Sequence, residues 1–226
     1  MKNLFTLIAI ISFFAATQLS AQTRYTRIGI MSFPKPESPA LPEGVSSEGK
    51  WVVPPLFLES ERRFLKFFTI GSELTFSRYG IDNTVYGTTS TARITNLGLE
   101  LQGKLSIPIV DMFEVYGQYG IGYMHSFHNF KSDLGSETFQ QQYGIGYITN
   151  TLSVGGSIIL GESIGLFVEA GMMKTKTVKN LNDIIEDSMA DYGAHIPAPS
   201  LGEMGNQRIK GESAYAKIGI VFQINR

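Results

Sequence analysis

Residues 93–108 read Arg93-Ile-Thr-Asn-Leu-Gly-Leu-Glu-Leu-Gln-Gly-Lys-Leu-Ser-Ile-Pro108. Leu97, Leu99, Leu101, Leu105 and Ile107 share one parity, and Asn96, Glu100, Gln102, Lys104 and Ser106 share the other. Successive side chains of a strand point to opposite faces, so this stretch predicts a strand with one oily and one charged face.

The same alternation recurs along the chain. Around 24–33, Ile28 and Ile30 oppose Arg27 and Gly29; around 64–79, Phe68, Ile70, Leu74 and Phe76 oppose Gly71, Glu73, Thr75 and Ser77. Around 113–128, Phe113, Val115, Tyr119, Ile121 and Tyr123 oppose Glu114, Gln118, Gly120 and Gly122. Around 146–160, Ile148, Leu152, Val154, Ile158 and Leu160 oppose Thr149, Thr151, Ser153, Gly155 and Ser157. Around 164–177, Ile164, Leu166, Val168, Ala170 and Met172 oppose Glu169 and Gly171; around 213–224, Ala214, Ala216, Ile218, Ile220, Phe222 and Ile224 oppose Tyr215, Lys217, Gly219 and Gln223. The segment 51–59 is the weakest, because Pro54 and Pro55 remove ladder donors and predict an edge or an irregular strand. That makes eight strands, most of them long enough to cross a bilayer at a tilt.

Residues 1–21 carry an export pattern: Lys2, an apolar run from Leu4 to Ala16, and the small-residue site Leu19-Ser20-Ala21. The expected domains are a signal peptide at 1–21 and one barrel domain at 22–226. The mature part contains no apolar run of helix-spanning length. With no cysteine, it relies on sheet closure rather than disulfides. A net charge of −1 gives no support to nucleic-acid binding. The connections at 60–63, 108–112 and 161–163 are expected to be short, and those at 34–50, 80–92, 129–145 and 178–212 long. Short turns on one side and long loops on the other, with an even strand count, put both termini at the periplasmic side of an outer membrane.

The export segment, the alternating strands and the loop asymmetry together resemble the small eight-stranded outer-membrane barrels of the OmpA/OmpX type. The resemblance implies an antiparallel up-and-down transmembrane β-barrel in the outer membrane of a Gram-negative bacterium. Such barrels commonly end on an aromatic residue, whereas here Phe222 is followed by Gln-Ile-Asn-Arg.

In this reading Arg27, Glu73, Glu100, Lys104, Glu114, Glu169 and Lys217 face inward and form a polar plug, with Lys104 and Glu114 paired diagonally across their hairpin. Arg78, Arg93, Lys174 and Lys176 share the outward parity near the long loops, at the level of the lipid headgroups. They are candidates for lipopolysaccharide phosphates. Phe76, Tyr123 and Phe127 at one end, with Phe113 and Phe222 at the other, fit two aromatic girdles.

His125-Ser126-Phe127-His128 is the one catalytic-looking cluster, but no acid partner stands at a predictable position. Leu181, Ile184, Ile185 and Met189 have helical spacing, with Asn180 or Asn182 as a cap. Asp183, Glu186, Asp187 and Asp191 lack the spacing of a calcium loop. No metal or cofactor is implied. The expected partners are membrane lipids, including lipopolysaccharide, and a protein at the outer loops, with the barrel itself a monomer. Three alternatives stay open: an accessory barrel in secretion or assembly, a rim enzyme acting on lipid A, and a periplasmic barrel that carries lipid with its oily faces inward.

Overall fold

The computed structural model describes residues 23–33, 45–65, 67–85, 88–110, 112–134, 137–161, 163–180, 182–184 and 207–225. Residues 1–21, expected to direct export, the proline-rich stretch after Phe33 and most of the acidic segment after Asn180 lie outside the described residues.

Eight strands form one closed antiparallel barrel: β1 (Thr23–Ser32), β2 (Val45–Leu65), β3 (Phe68–Val85), β4 (Thr88–Val110), β5 (Phe113–Leu134), β6 (Glu137–Leu160), β7 (Ile164–Thr177) and β8 (Lys210–Asn225). Each strand pairs with its neighbour in sequence, and β1 closes the ring against β8 from Thr23↔Asn225 to Ser32↔Ala216. Closure leaves no edge. In hydrocarbon, where no water can satisfy a free N–H or C=O, only a closed ladder or a helix is viable. No described helix is long and apolar enough to cross a membrane.

The faces follow the alternation. On β4, Leu97, Leu99, Leu101, Leu105 and Ile107 are 38–63% exposed, while Glu100, Gln102, Lys104 and Ser106 are buried. Ile220 is exposed and Lys217 is buried, on the same strand. The lipid-carrying alternative with oily faces inward is therefore overturned: the enclosed side is charged and the outside is apolar.

Three details differ from expectation. Residues 60–63 do not turn; they lie inside β2, paired with Ser72, Gly71, Ile70 and Thr69 of β3, and the ladder continues to Leu65↔Phe68. The proline segment is neither an edge nor a separate short strand. It sits inside the long β2, where the register slips between Trp51 and Val53 and again between Val53 and Leu56. Two residues without N–H donors explain that irregularity. Finally, 45–50, 80–92 and 129–145 are mostly paired strand: β2 pairs with β3 from Val45↔Val85 to Lys50↔Gly80, β3 and β4 stay in register from Phe68↔Leu105 out to Val85↔Thr88, and β5 and β6 out to Leu134↔Glu137.

A tilted crossing needs about 9–11 residues. β4, β5 and β6 have 23, 22 and 24. The outer connections of these strands are thus tall hairpin arms that continue the ladder beyond the apolar belt. At the other end the turns are tight, and Gly161 takes φ +78°, a conformation open to glycine without a Cβ penalty.

Candidate functional site

Eight strands leave an interior that side chains can fill. The inward face supplies ten charged groups among the described residues: Glu59, Glu61, Glu73, Glu100, Glu114, Glu169, Arg27, Arg63, Lys104 and Lys217. They form two tiers.

The tier nearest the short turns is balanced, with three cations and three carboxylates. The Lys104 ammonium donates to Glu59 at 3.2 Å and to Glu61. The Arg27 guanidinium lies 3.5 Å from Glu61 and 3.7 Å from Glu114. Arg63 donates to Glu114 at 2.5 Å, and the Ser157 hydroxyl donates to the same carboxylate at 3.1 Å. Aromatic rings close the gaps. Arg27 sits 4.8 Å from the Tyr116 ring centre and 5.0 Å from that of Phe167, and Lys104 sits 4.4 Å from Tyr116. Cations stacked on ring faces gain attraction while excluding water.

The second tier, toward the hairpin arms, is not balanced. Lys217 donates to Glu73 at 2.5 Å and lies 3.4 Å from Glu169. The Tyr116 and Tyr215 hydroxyls donate to Glu169 at 3.2 and 3.1 Å. Glu100 accepts from Gln102 at 3.0 Å and from Thr151 at 2.7 Å, and makes no ion pair among the described residues. One cation thus faces three carboxylates.

All seven residues of the expected interior set point inward, but the expected Lys104–Glu114 pair does not form. Lys104 goes to Glu59 and Glu61 on β2, and Glu114 goes to Arg63 and Arg27. Glu59, Glu61 and Arg63 fall outside the expected set because two prolines weaken the pattern at 51–59 and 60–63 reads as a turn. Their signal was available in the parity of Phe57, Glu59 and Glu61. Two glycines make room for the network. A Cβ on Gly120 would collide with the Glu100 carboxylate, and one on Gly155 would lie 2.6 Å from the Tyr116 ring and hydroxyl.

The four rim cations all lie on the outward parity, as two separate pairs. Arg78 and Arg93, on β3 and β4, line one surface pocket of about 360 Å³ with Phe127, Asn129 and Gln142. Arg93 donates to Asp82 at 2.8 Å and holds that carboxyl below its ordinary range. Arg78 makes no ion pair among the described residues. Lys174 and Lys176 lie apart from them on β7, and Lys174 sits 3.7 Å from Glu212.

The serine–histidine cluster does not assemble a nucleophile. The Ser126 hydroxyl donates to Asn96 at 2.5 Å. His128 stacks on Tyr143 with ring centres 4.8 Å apart, and His125 turns outward to Tyr123. Asn180 caps the following turn, its side chain accepting from the Asp183 N–H at 2.9 Å. Glu186, Asp187 and Asp191 lie outside the described residues.

A family model, the OmpA-like transmembrane domain, matches residues 63–151. Among solved structures, the outer membrane protein OprG from Pseudomonas aeruginosa aligns at 12% identity and TM-score 0.46, over 91% of this chain and 97% of that one. No curated protein matches. With its closed eight-strand ladder, apolar outer belt and matching family model, the chain resembles the small OmpA-type barrels and is a transmembrane β-barrel of the Gram-negative outer membrane.

Proposed function

We propose that this protein is a plugged, non-enzymatic barrel whose work is done at its outer face, where it grips lipopolysaccharide phosphates through Arg78 and Arg93. The observation that carries this reading is the balanced tier of Arg27, Arg63 and Lys104 with Glu59, Glu61 and Glu114. Side chains that cross-link four strands and stack on Tyr116 and Phe167 oppose passage of solutes through the inner end of the lumen. That leaves the rim and the hairpin arms as surfaces for binding. In the rim pocket, two guanidiniums on neighbouring strands supply forked donors suited to phosphate oxygens, and the exposed Phe127 supplies a surface for acyl chains. The arms of β3–β4 and β5–β6 offer a second surface for a protein partner. Residues 1–21 serve as the export segment in this reading.

Lipopolysaccharide binding by the detergent-refolded barrel tests the proposal. The double variant Arg78→Glu/Arg93→Glu should weaken binding at least tenfold. The wild-type barrel in a planar bilayer should show no sustained single-channel current. Unchanged binding by the double variant would overturn the lipid role, and steady conductance would overturn the plug.

A further inference from the structure

Above the second tier the lumen opens into a cavity of about 250 Å³. Its walls are Met31, Phe33, Trp51, Met124, Met173 and Tyr215, and its floor is Glu100, Glu73 and Lys217. The two zones differ in chemistry. The floor holds one ammonium against the carboxylates of Glu73, Glu100 and Glu169, and Lys217 is already engaged by two of them. Glu100 is 9% exposed, lines the cavity and, among the described residues, is met only by neutral donors. A buried carboxylate in this position has, among the described residues, no cation in direct contact to offset its desolvation. The walls combine thioethers and aromatic rings with the neutral polar groups of Thr75, Ser77, Asn96, Thr149, Thr151 and Ser213. Trp51 leans edge-on to Tyr79 with ring centres 4.9 Å apart, and Phe33 lies 6.5 Å from Tyr215.

We propose that this cavity is a binding site for a small organic cation, an ammonium with an apolar body, seated with its charge toward Glu100 and its carbon groups among the methionines and rings. Each part of that ligand answers a feature of the site. The positive charge corrects the excess of carboxylates. The aromatic faces attract a desolvated cation, and the flexible thioethers shape themselves to its carbon body. An anion would be repelled by the floor. This site is separate from the rim pocket: its floor residues Glu73, Glu100 and Lys217 are buried in the lumen, whereas Arg78 and Arg93 lie on the outward face.

Trp51 is the only tryptophan in the chain, so its fluorescence reports on this cavity alone. Choline should change the Trp51 emission of the refolded full-length mature barrel saturably. Its uncharged carbon isostere, 3,3-dimethyl-1-butanol, should need at least a tenfold higher concentration. Glu100→Gln should raise the half-saturation for choline at least tenfold. Should that variant fail to fold, Thr75→Lys, which adds an ammonium to the cavity wall, should abolish the response while the barrel keeps its heat-modifiable migration on a gel. Equal responses to choline and the alcohol, or choline binding unchanged in Glu100→Gln or Thr75→Lys, would overturn the proposal.

Discussion

The two ends of the lumen are lined by the same eight strands yet solve the problem of buried charge differently. At the inner end, three cations meet three carboxylates, and rings of Tyr116 and Phe167 cover what remains. At the outer end, Lys217 alone serves Glu73 and Glu169, while Glu100 relies on Gln102 and Thr151. Removing two ions from water costs several kcal/mol each, and their mutual attraction recovers this only when every partner is in place. A balanced tier is therefore a structural seal. A tier short of positive charge, beneath an open cavity, is a receptive one.

Substitutions that remove charge should separate the two tiers. Lys104→Met leaves both Glu59 and Glu61 without their closest cation, and breaking a buried pair from one side costs about 3–5 kcal/mol. Denaturant unfolding in detergent or lipid should show that loss, and Lys104→Met/Glu61→Gln should recover part of it. Recovery of nothing would mean that the seal depends on packing rather than charge balance.

Gly120→Val tests the room reserved for Glu100 and should cost about 1–3 kcal/mol through overpacking. Glu100→Gln should change unfolding free energy by no more than about 1 kcal/mol, since no cation loses its partner and the amide oxygen can still accept. A loss as large as that of Lys104→Met would erase the distinction between the tiers.

The smallest effect lies outside both tiers and outside the bilayer. Arg93 holds the Asp82 carboxyl below its ordinary range. A depressed folded-state pKa contributes stability that is present above the unfolded value and lost as pH falls through the folded one. The stability difference between wild type and Asp82→Asn should be small at neutral pH and vanish on acidification. A difference that grew toward acid pH would contradict the Arg93–Asp82 pairing.

The barrel was legible in the sequence because a period of two survives whatever the partners are. Leu99 beside Glu100, and Leu152 beside Thr151, fix their faces without any knowledge of the neighbouring strand. Which ions meet is a matter of register, and register depends on the turns. Placing the β2–β3 turn at 60–63, where the ladder in fact runs on to Leu65↔Phe68, hides Glu61 and Arg63 and leaves Lys104 to be matched with the nearest carboxylate in its own hairpin. The cavity was invisible for another reason: Met31, Trp51, Met124 and Met173 come from four strands and share no local pattern.

The account rests on apolar side chains meeting lipid and charged ones meeting each other inside. The chain has no cysteine, so single spin labels can be placed at will. Labels at Leu152→Cys and at Thr151→Cys, adjacent in β6, should be measured in lipid bilayers for collision with oxygen and with a water-soluble nickel chelate. The label at 152 should collide with oxygen far more than with nickel, and the label at 151 should be shielded from both. A nickel-accessible label at 152, with an oxygen-accessible one at 151, would contradict the orientation on which everything else depends.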